Sequence, residues 1–264
     1  MRALGIDLGS REVKIVVMEE GAIVYTEQIS TMKFYRDFCH YDEKIVVNMN
    51  KLNVGKFDIA ISTGYGRNNI NLEKFKVINE VKAHVKGAKY QSGLDSFVLI
   101  DMGGQDVKIM QVEKGNMIDM ELNDKCAASC GRYLENMAHI LEVDLNELAT
   151  FSQDPVTLNS TCAVFTESEL IAKIAEGAKK EELCAGINFS LYNRLKPMLR
   201  KFNGEVLVVA GGVAYNEALL SYLNQDYDLI LRVDEPQFNG AIGCCVIGIE
   251  LLNNKQQEEK TCTY

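Results

Sequence analysis

With 264 residues, 47% of them hydrophobic, the chain is long enough to bury a sizeable core in one large domain or two. Its formal charge of −9 argues against a binder of nucleic acid or anionic membranes, because a phosphate surface requires an excess of Lys and Arg. No apolar run approaches the roughly 18 residues of a membrane span, and Asp7 interrupts any N-terminal apolar segment. We therefore expect a cytoplasmic protein whose eight cysteines are thiols, metal ligands or redox groups rather than disulfides.

The most informative pattern is an internal duplication at a constant offset of 94 residues. Residues 5–24 and 99–118 align without gaps, and eight of the twenty pairs are identical. Each copy predicts a buried strand ending in Asp, a glycine-containing turn and a second strand, followed by a third strand at 22–29 or 117–122. The repeat favours two related α/β halves over a single barrel.

The remaining segments predict a lean first half and a helix-rich second half. In chain order they are a strand at 57–63, a helix at 80–91, helices at 127–142, 167–175 and 182–199, a strand at 206–210 and a final helix at 239–252. The polar tail at 253–264 is expected to fray. Three parts follow from this organisation: 1–95, 96–238 and 239–264.

Glycine turns directly after two predicted strands are suited to phosphate binding. At Asp7 and Asp101 the following glycine lets backbone N–H groups approach phosphate oxygens, while the carboxylate holds a hydrated Mg²⁺. One such turn alone is typical of an ordinary hairpin, whereas two in phase favour a clamp around one triphosphate. A third turn, at Gly211 and Gly212, is available to pack against an adenine ring. The sequence has neither G-x-x-x-x-G-K-[ST] nor G-x-G-x-x-G, which disfavours P-loop and Rossmann folds.

Two cysteines precede predicted helices in polar surroundings. At Cys126 and Cys162 a helix dipole and free N–H groups would favour thiolates and an anionic cluster, whereas an isolated cysteine is more often a buried apolar residue. A cubane iron–sulfur cluster takes four thiolates, which two chains would supply together. Structural zinc stays open, because Cys126 and Cys130 have a suitable spacing. Core positions are predicted for Cys39, Cys184, Cys244 and Cys245, and no role for Cys262.

The three glycine turns resemble the phosphate-1, phosphate-2 and adenosine motifs of the actin, sugar-kinase and Hsp70-type ATPase superfamily. The similar segments are 5–10, 99–106 and 209–213, in the order and spacing of that superfamily. The resemblance implies an α/β fold of two actin-like (ribonuclease H-like) halves that bind ATP and Mg²⁺. It also implies slow hydrolysis, because Arg11 is the only guanidinium in either hairpin.

The same resemblance implies roles for individual residues. Asp7 and Asp101 would hold Mg²⁺ through water, and Gln105 would orient the attacking water. Ser10 and Lys14 would lie near the terminal phosphates. The full implied nucleotide-binding set is Gly9, Ser10, Arg11, Lys14, Gly103, Gly104, Gly211, Gly212, Asn216 and Gln237.

A narrower resemblance points to the activator ATPases of 2-hydroxyacyl-CoA dehydratases, which belong with the BadF/BcrA-type ATPases of benzoyl-CoA reductases. It rests on the segments 63–67, 100–106, 123–128 and 160–169. It implies a homodimer with one bridging [4Fe-4S] cluster held by Cys126 and Cys162. ATP hydrolysis would then drive an electron from ferredoxin or flavodoxin into an iron–sulfur partner, either a dehydratase or a double-cubane cluster protein. The segment 236–243 would carry the chain back to the first half.

Other interpretations stay open at this stage. The phosphate turns alone fit a small-molecule kinase of the same superfamily, or a nucleotide-gated interaction module. Thr166 and Glu169 fit a capping box rather than a site. Glu80 is expected to open a helix, where its negative charge interacts favourably with the helix dipole. The turn at 63–68 is either a plain turn or part of the nucleotide cleft.

Overall fold

Two five-stranded sheets with the same strand order form the framework of the protein. The structure is a computed structural model that describes residues 1–42, 44–68, 70–71, 75–160 and 162–261. The chain divides into unit 1, Met1–Leu94 with Gln237–Tyr264, and unit 2, Asp95–Pro236. The boundaries expected from the sequence, after residues 95 and 238, lie one and two residues from these.

The first stretch of unit 1 is mainly β-structure with one long helix at its end. Its elements are β1 (Arg2–Leu8), β2 (Glu12–Glu19), β3 (Ala22–Ser30), α1 (Thr31–Lys33), β4 (Cys39–Asp42), β5 (Lys44–Val47), β6 (Ile59–Thr63), β7 (Ile70–Asn71), β8 (Phe75–Val77) and α2 (Glu80–Ser92). The larger sheet has the order β3-β2-β1-β6-β8, and β4, β5 and β7 form a smaller one. Strand β1 is buried from Ala3 to Leu8, which explains why this stretch is apolar except at Asp7.

Unit 2 repeats this sheet and adds helices. Its elements are β9 (Phe97–Met102), β10 (Val107–Glu113), β11 (Asn116–Asn123), α3 (Gly131–Ile140), α4 (Leu145–Leu148), α5 (Ala163–Ala175), α6 (Lys180–Leu199), β12 (Val206–Ala210), α7 (Glu217–Leu223) and β13 (Leu229–Arg232). The sheet order is β11-β10-β9-β12-β13. The buried faces of β9, β10, α3, α6 and β12 share one apolar core. The predicted helices and strands are therefore present, with changed starts for α3 and α5.

The duplication predicted from the sequence is confirmed in the backbone. In each copy a strand forms an antiparallel hairpin and then pairs in parallel with a later strand. Both second hairpins turn through two residues of positive φ: Glu20 (52°) and Gly21 (84°) in unit 1, and Lys114 (49°) and Gly115 (75°) in unit 2. The strand before each of these turns also has a shift in its pairing register, at equivalent positions in β2 and β10. The two copies thus share turn geometry as well as strand order.

The last helix, α8 (Asn239–Thr261), completes unit 1. It buries Ala241, Ile242 and Cys245 against side chains of β1 and β2. Its approach to α2 is very close, because a Cβ at Gly243 would overlap the carbonyl oxygen of Ala83. The predicted start is confirmed, but the expectation of a frayed tail is wrong as far as Thr261, since Lys, Gln and Glu extend an already anchored helix readily.

Helix α3 begins later than the periodicity predicts. A single 3-10 turn at Ala127–Ser129 comes first, and the helix starts only at Gly131. Cys130 before it is extended, with φ −134° and ψ −177°. The amides of Gly131 and Arg132 donate to carbonyl oxygens of another loop, so contacts distant in sequence fix where the helix starts.

Helix α5 begins earlier than predicted, at Ala163. Thr166 therefore lies inside the helix, where its hydroxyl donates to the carbonyl of Cys162 at 2.9 Å. Glu169 accepts from the amides of Asn159 (2.8 Å) and Ser160 (2.9 Å) in the preceding loop. The capping box expected of Thr166 and Glu169 is thus wrong, because neither residue occupies a capping position.

Candidate functional site

Asp7, the predicted magnesium-holding residue of unit 1, lies buried near the end of β1. In the hairpin register it pairs with Lys14 of β2. Two glycines face its carboxylate: a Cβ at Gly64 would lie 2.6 Å from Oδ1, and one at Gly240 would lie 2.8 Å from Oδ2. His84 adjoins this place, since its Nε2 would be 3.1 Å from the latter Cβ, and no sequence pattern singled it out. Close packing of backbone thus holds the carboxylate in place.

The first glycine turn joins β1 to β2 and carries Gly9, Ser10 and Arg11. Ser10 and Arg11 are exposed, and Gly9 is half-buried. Thr31 stabilises the turn: its hydroxyl donates to the carbonyl of Gly9 (2.9 Å) and its amide to the carbonyl of Arg11 (2.8 Å). The shape of this turn therefore depends on a residue that follows β3, which the sequence motif does not include.

Asp101 occupies the equivalent place in unit 2, buried on β9. Lys108 of β10 is also buried, and its ammonium lies 2.6 Å from Oδ2 of Asp106 and 3.9 Å from Oδ2 of Asp101. Because a buried ammonium needs compensation, the two carboxylates stabilise its charged form. Lys108 and Asp106 are absent from the predicted site, although the identical pair Lys14/Lys108 in the duplication was a usable signal.

The second glycine turn is hydrogen-bonded to helix α3. The amide of Gly131 donates to the carbonyl of Gly103 at 3.0 Å, and that of Arg132 to Gly104 at 2.9 Å. Both turn glycines are half-buried, and Gln105, predicted to orient water, is exposed. The first turn of α3 and the predicted phosphate-2 turn are therefore one connected structure within unit 2.

The third glycine turn follows β12. Gly211 has φ 85°, its amide donates to the carbonyl of Pro236 at 2.8 Å, and a Cβ there would overlap the carbonyl of Met102. Gly212 is exposed, and a Cβ there would meet nothing within 4 Å. Gln237 is half-buried in a 3-10 turn. The backbone conformation at position 211 and the nearby carbonyl therefore require a glycine. At position 212 a side chain would extend into open space.

Asn216, predicted to bind nucleotide, has its side-chain amide engaged inside unit 2. Its Oδ1 accepts from the amide of Leu219 at 2.8 Å and caps α7, and its Nδ2 donates to Oδ1 of Asn188 at 2.8 Å. Asn188 in turn donates to the carbonyls of Leu148 (2.8 Å) and Phe151 (3.0 Å). This buried network joins α7, α6 and α4.

Cys126 and Cys162, the predicted cluster ligands, are both exposed. Cys162 is the N-cap residue of α5, as its predicted place at a helix start requires. Cys126 lies ahead of a 3-10 turn instead, so the prediction that it starts an α-helix is wrong. Its amide donates to Oδ1 of Asn123 at 3.2 Å, and Nδ2 of Asn123 donates back to its carbonyl at 3.4 Å. The side chain of Asn123 thereby fixes the backbone of the loop at Cys126.

The other cysteines divide by burial. Cys130 is buried at the N-cap of α3, and burial raises the pKa of its thiol. The predicted core positions are confirmed for Cys184, Cys244 and Cys245, whereas Cys39 is only half-buried in β4. Cys262 lies outside the described residues.

Within the part of the chain that the structure describes, no group of three or more His, Cys, Asp or Glu side chains is arranged to hold a metal ion. Among the same residues, no helix combines the length and the apolar character needed to cross a bilayer.

Duplicated sheets, each with a strand ending near a buried Asp and followed by a glycine turn, define the actin-like class of ATPase folds. A ROK family glucokinase from Streptomyces griseus, solved with glucose and AMPPNP, matches with a TM-score of 0.58 over 95% of this chain and 100% of that one. At 13% identity this likeness shows the fold alone.

The chain belongs to the BadF/BadG/BcrA/BcrD ATPase family, whose profile matches residues 4–248. The 2-hydroxyisocaproyl-CoA dehydratase activator of Clostridioides difficile is 34% identical over 98% of this chain and 99% of its own length. The (R)-2-hydroxyglutaryl-CoA dehydratase activating ATPase of Acidaminococcus fermentans is 34% identical over 92% and 95%. The structure of the C. difficile activator with bound ADPNP matches with a TM-score of 0.83 at 32% identity over 98% of both chains. The family resemblance is confirmed, and the kinase alternative is not favoured.

Proposed function

We propose that this protein is an ATP-dependent electron-transfer activator. Two chains form a homodimer that shares one [4Fe-4S] cluster, and ATP hydrolysis delivers low-potential electrons to an iron–sulfur partner. The acceptor is a 2-hydroxyacyl-CoA dehydratase or a double-cubane cluster protein, and the donor is ferredoxin or flavodoxin. The observation that carries the proposal is the combination, within unit 2, of two exposed cysteines with a buried Asp and its glycine turn.

In the proposed nucleotide site, carboxylates hold the metal and backbone amides bind the phosphates. Asp7 and Asp101 retain hydrated Mg²⁺, and Gln105 orients the attacking water. Asn216 contributes through the helix that it caps. The phosphates and adenosine are bound by the residues of the three turns and their neighbours: Gly9, Ser10, Arg11, Lys14, Gly103, Gly104, Gly211, Gly212 and Gln237.

The proposed cluster site uses two thiolates from each chain. A cubane cluster takes four thiolates, so Cys126 and Cys162 of two chains complete the set. Both thiols are exposed, and they lie in unit 2 with their loops anchored by hydrogen bonds, which suits ligands shared across an interface. When bound, the cluster supplies one-electron transfer, and the chain supplies thiolates and their placement. We expect the protein to function under anaerobic conditions.

A connection between nucleotide and cluster supports the proposal. The amides of Gly131 and Arg132 bind the carbonyls of the phosphate-2 turn, and the loop 124–130 that carries Cys126 leads directly into Gly131. A shift of this turn on hydrolysis would therefore pull on the start of α3 and on the cysteine loop. Hydrolysis in the absence of a partner should be slow, because Arg11 is the only guanidinium in the two glycine turns after Asp7 and Asp101.

Anaerobic purification with iron and sulfide analysis tests the proposal. We expect about four iron atoms per two chains, and loss of iron in the double variant Cys126→Ala/Cys162→Ala with ATP binding retained. Cys39→Ala, which removes a half-buried thiol of unit 1, is the matched control and should keep its iron. Iron-free wild-type protein, or iron that persists in the double variant, would contradict the proposal.

A further inference from the structure

One arginine of α6 connects the two cysteine loops of unit 2. The Nη1 of Arg194 donates to the carbonyl of Ala128 at 3.1 Å, and its Nη2 donates to the carbonyl of Ser160 at 2.8 Å. Ala128 follows Cys126 by two residues, and Ser160 precedes Cys162 by two. A single guanidinium therefore binds main-chain oxygens on both sides of the proposed cluster half-site.

The guanidinium is itself held in place by neighbours. Its carbon lies 4.3 Å from the centre of the buried Tyr133 ring, and Nη2 is 3.3 Å from Oγ1 of Thr166. The Thr166 hydroxyl donates to the carbonyl of Cys162 at 2.9 Å. Contact with the ring restricts the guanidinium, and its N–H donors reach both loops. A flexible lysine ammonium does not reproduce this fork.

We propose that Arg194 is a positioning residue that sets the spacing of the two cysteine loops and so preorganises them for the cluster. The inference rests on the proposed function, because it assigns a role toward the same cluster. Each loop is otherwise fixed mainly by local bonds, through Asn123 at Cys126 and through Glu169 ahead of Cys162. Those bonds shape each loop separately, whereas Arg194 touches both. Loss of the fork should therefore alter the cluster environment more than the fold.

Two variants and a matched control test this role in the full-length holoprotein. Arg194→Lys keeps the charge without the fork, and Arg194→Gln removes both. Arg200→Lys makes the same exchange at the exposed end of the same helix. We expect both Arg194 variants to lose iron to a chelator at least about tenfold faster and to show an altered electron paramagnetic resonance spectrum of the reduced cluster, with ATP affinity unchanged within about twofold. Arg200→Lys should match the wild type.

A second measurement does not need the cluster. Spin labels on Cys126 and Cys162 of the cluster-free chain, diluted with unlabelled protein and with Cys39 and Cys262 replaced by Ser, report the loop spacing. We expect a narrow distance distribution in the wild type and a broader one in Arg194→Lys. A distribution and an iron-release rate that Arg194→Lys leaves unchanged would overturn the inference. Absence of iron from the wild type, with broadening still observed, would overturn the proposed function and not the spacing role.

Discussion

Each unit has its own five-stranded sheet of the same strand order, and the two units differ in the segments inserted between the strands. In unit 1 the described residues of the connection from β3 to β6, within 31–58, form only short strands and helical turns. In unit 2 the corresponding connection, residues 124–205, holds helices α3 to α6 and both exposed cysteines. The features suited to phosphate lie in the repeated part, and those suited to a cluster lie in the part that is not repeated. The comparison thus separates the two proposed roles, with phosphate binding in the repeated sheet and cluster binding in the segment inserted into unit 2.

The largest expected effect is a difference in reactivity between the exposed thiols of unit 2, Cys126 and Cys162, and the buried thiols of α8 in unit 1. Burial raises the pKa of Cys245 to about 12 and that of Cys244 well above its usual value. Thiolates are the species that react with iodoacetamide, and at pH 8 a thiol of pKa about 12 is only about one ten-thousandth ionised. In folded, cluster-free protein we expect Cys126 and Cys162 to be alkylated at least about 1000-fold faster than Cys244 and Cys245, as measured by peptide mass spectrometry.

The same experiment in denaturant provides the control. Unfolding should equalise the four rates, because it removes the burial that raises the pKa values. Comparable rates in the folded protein would mean that these four cysteines do not differ in burial as the structure describes.

A single methyl group should destabilise unit 1 strongly. In Gly243→Ala the new Cβ would overlap the carbonyl of Ala83, and backbone on both sides prevents easy relaxation. We expect a loss of about 3 kcal/mol in the free energy of unfolding, measured by urea titration. Gly248→Ala on the same helix meets side chains and not backbone, with Cγ2 of Ile59 at 2.9 Å, Cγ1 of Ile61 at 3.4 Å and Cβ of Ala3 at 3.5 Å, and should cost less, about 1 kcal/mol. Equal effects of the two variants would argue against the close packing of α8.

Two adjacent glycines of unit 2 should behave differently. Gly211→Ala places a side chain at φ 85° against the carbonyl of Met102 and should reduce the free energy of unfolding by about 2 kcal/mol. Gly212→Ala meets open space and should change it by less than about 0.5 kcal/mol. Thermal unfolding of both variants measures the difference. A loss at Gly212 as large as that at Gly211 would refute the assigned geometry.

Local and repeated features could be predicted from the sequence, whereas contacts distant along the chain could not. The duplication predicted both hairpins because strand patterning and turn glycines are encoded within about 25 residues. The start of α3 was missed because carbonyls of Gly103 and Gly104 determine it. Arg194 was missed for the same reason. In the sequence it is one of several polar residues of α6, and its proposed role depends on contacts with two loops that are distant along the chain.

The position of α8 has a consequence for synthesis. Unit 2 is complete in sequence at Pro236, whereas unit 1 lacks α8 until residues 239–261 have also been made. Until then the apolar side chains of Ala3, Val16 and Met18 have no covering helix. Because domains form as their residues emerge from the ribosome, unit 2 can fold first although its sequence begins second. The strands β1 and β2, which flank the first glycine turn, are thus covered only after α8 has been made.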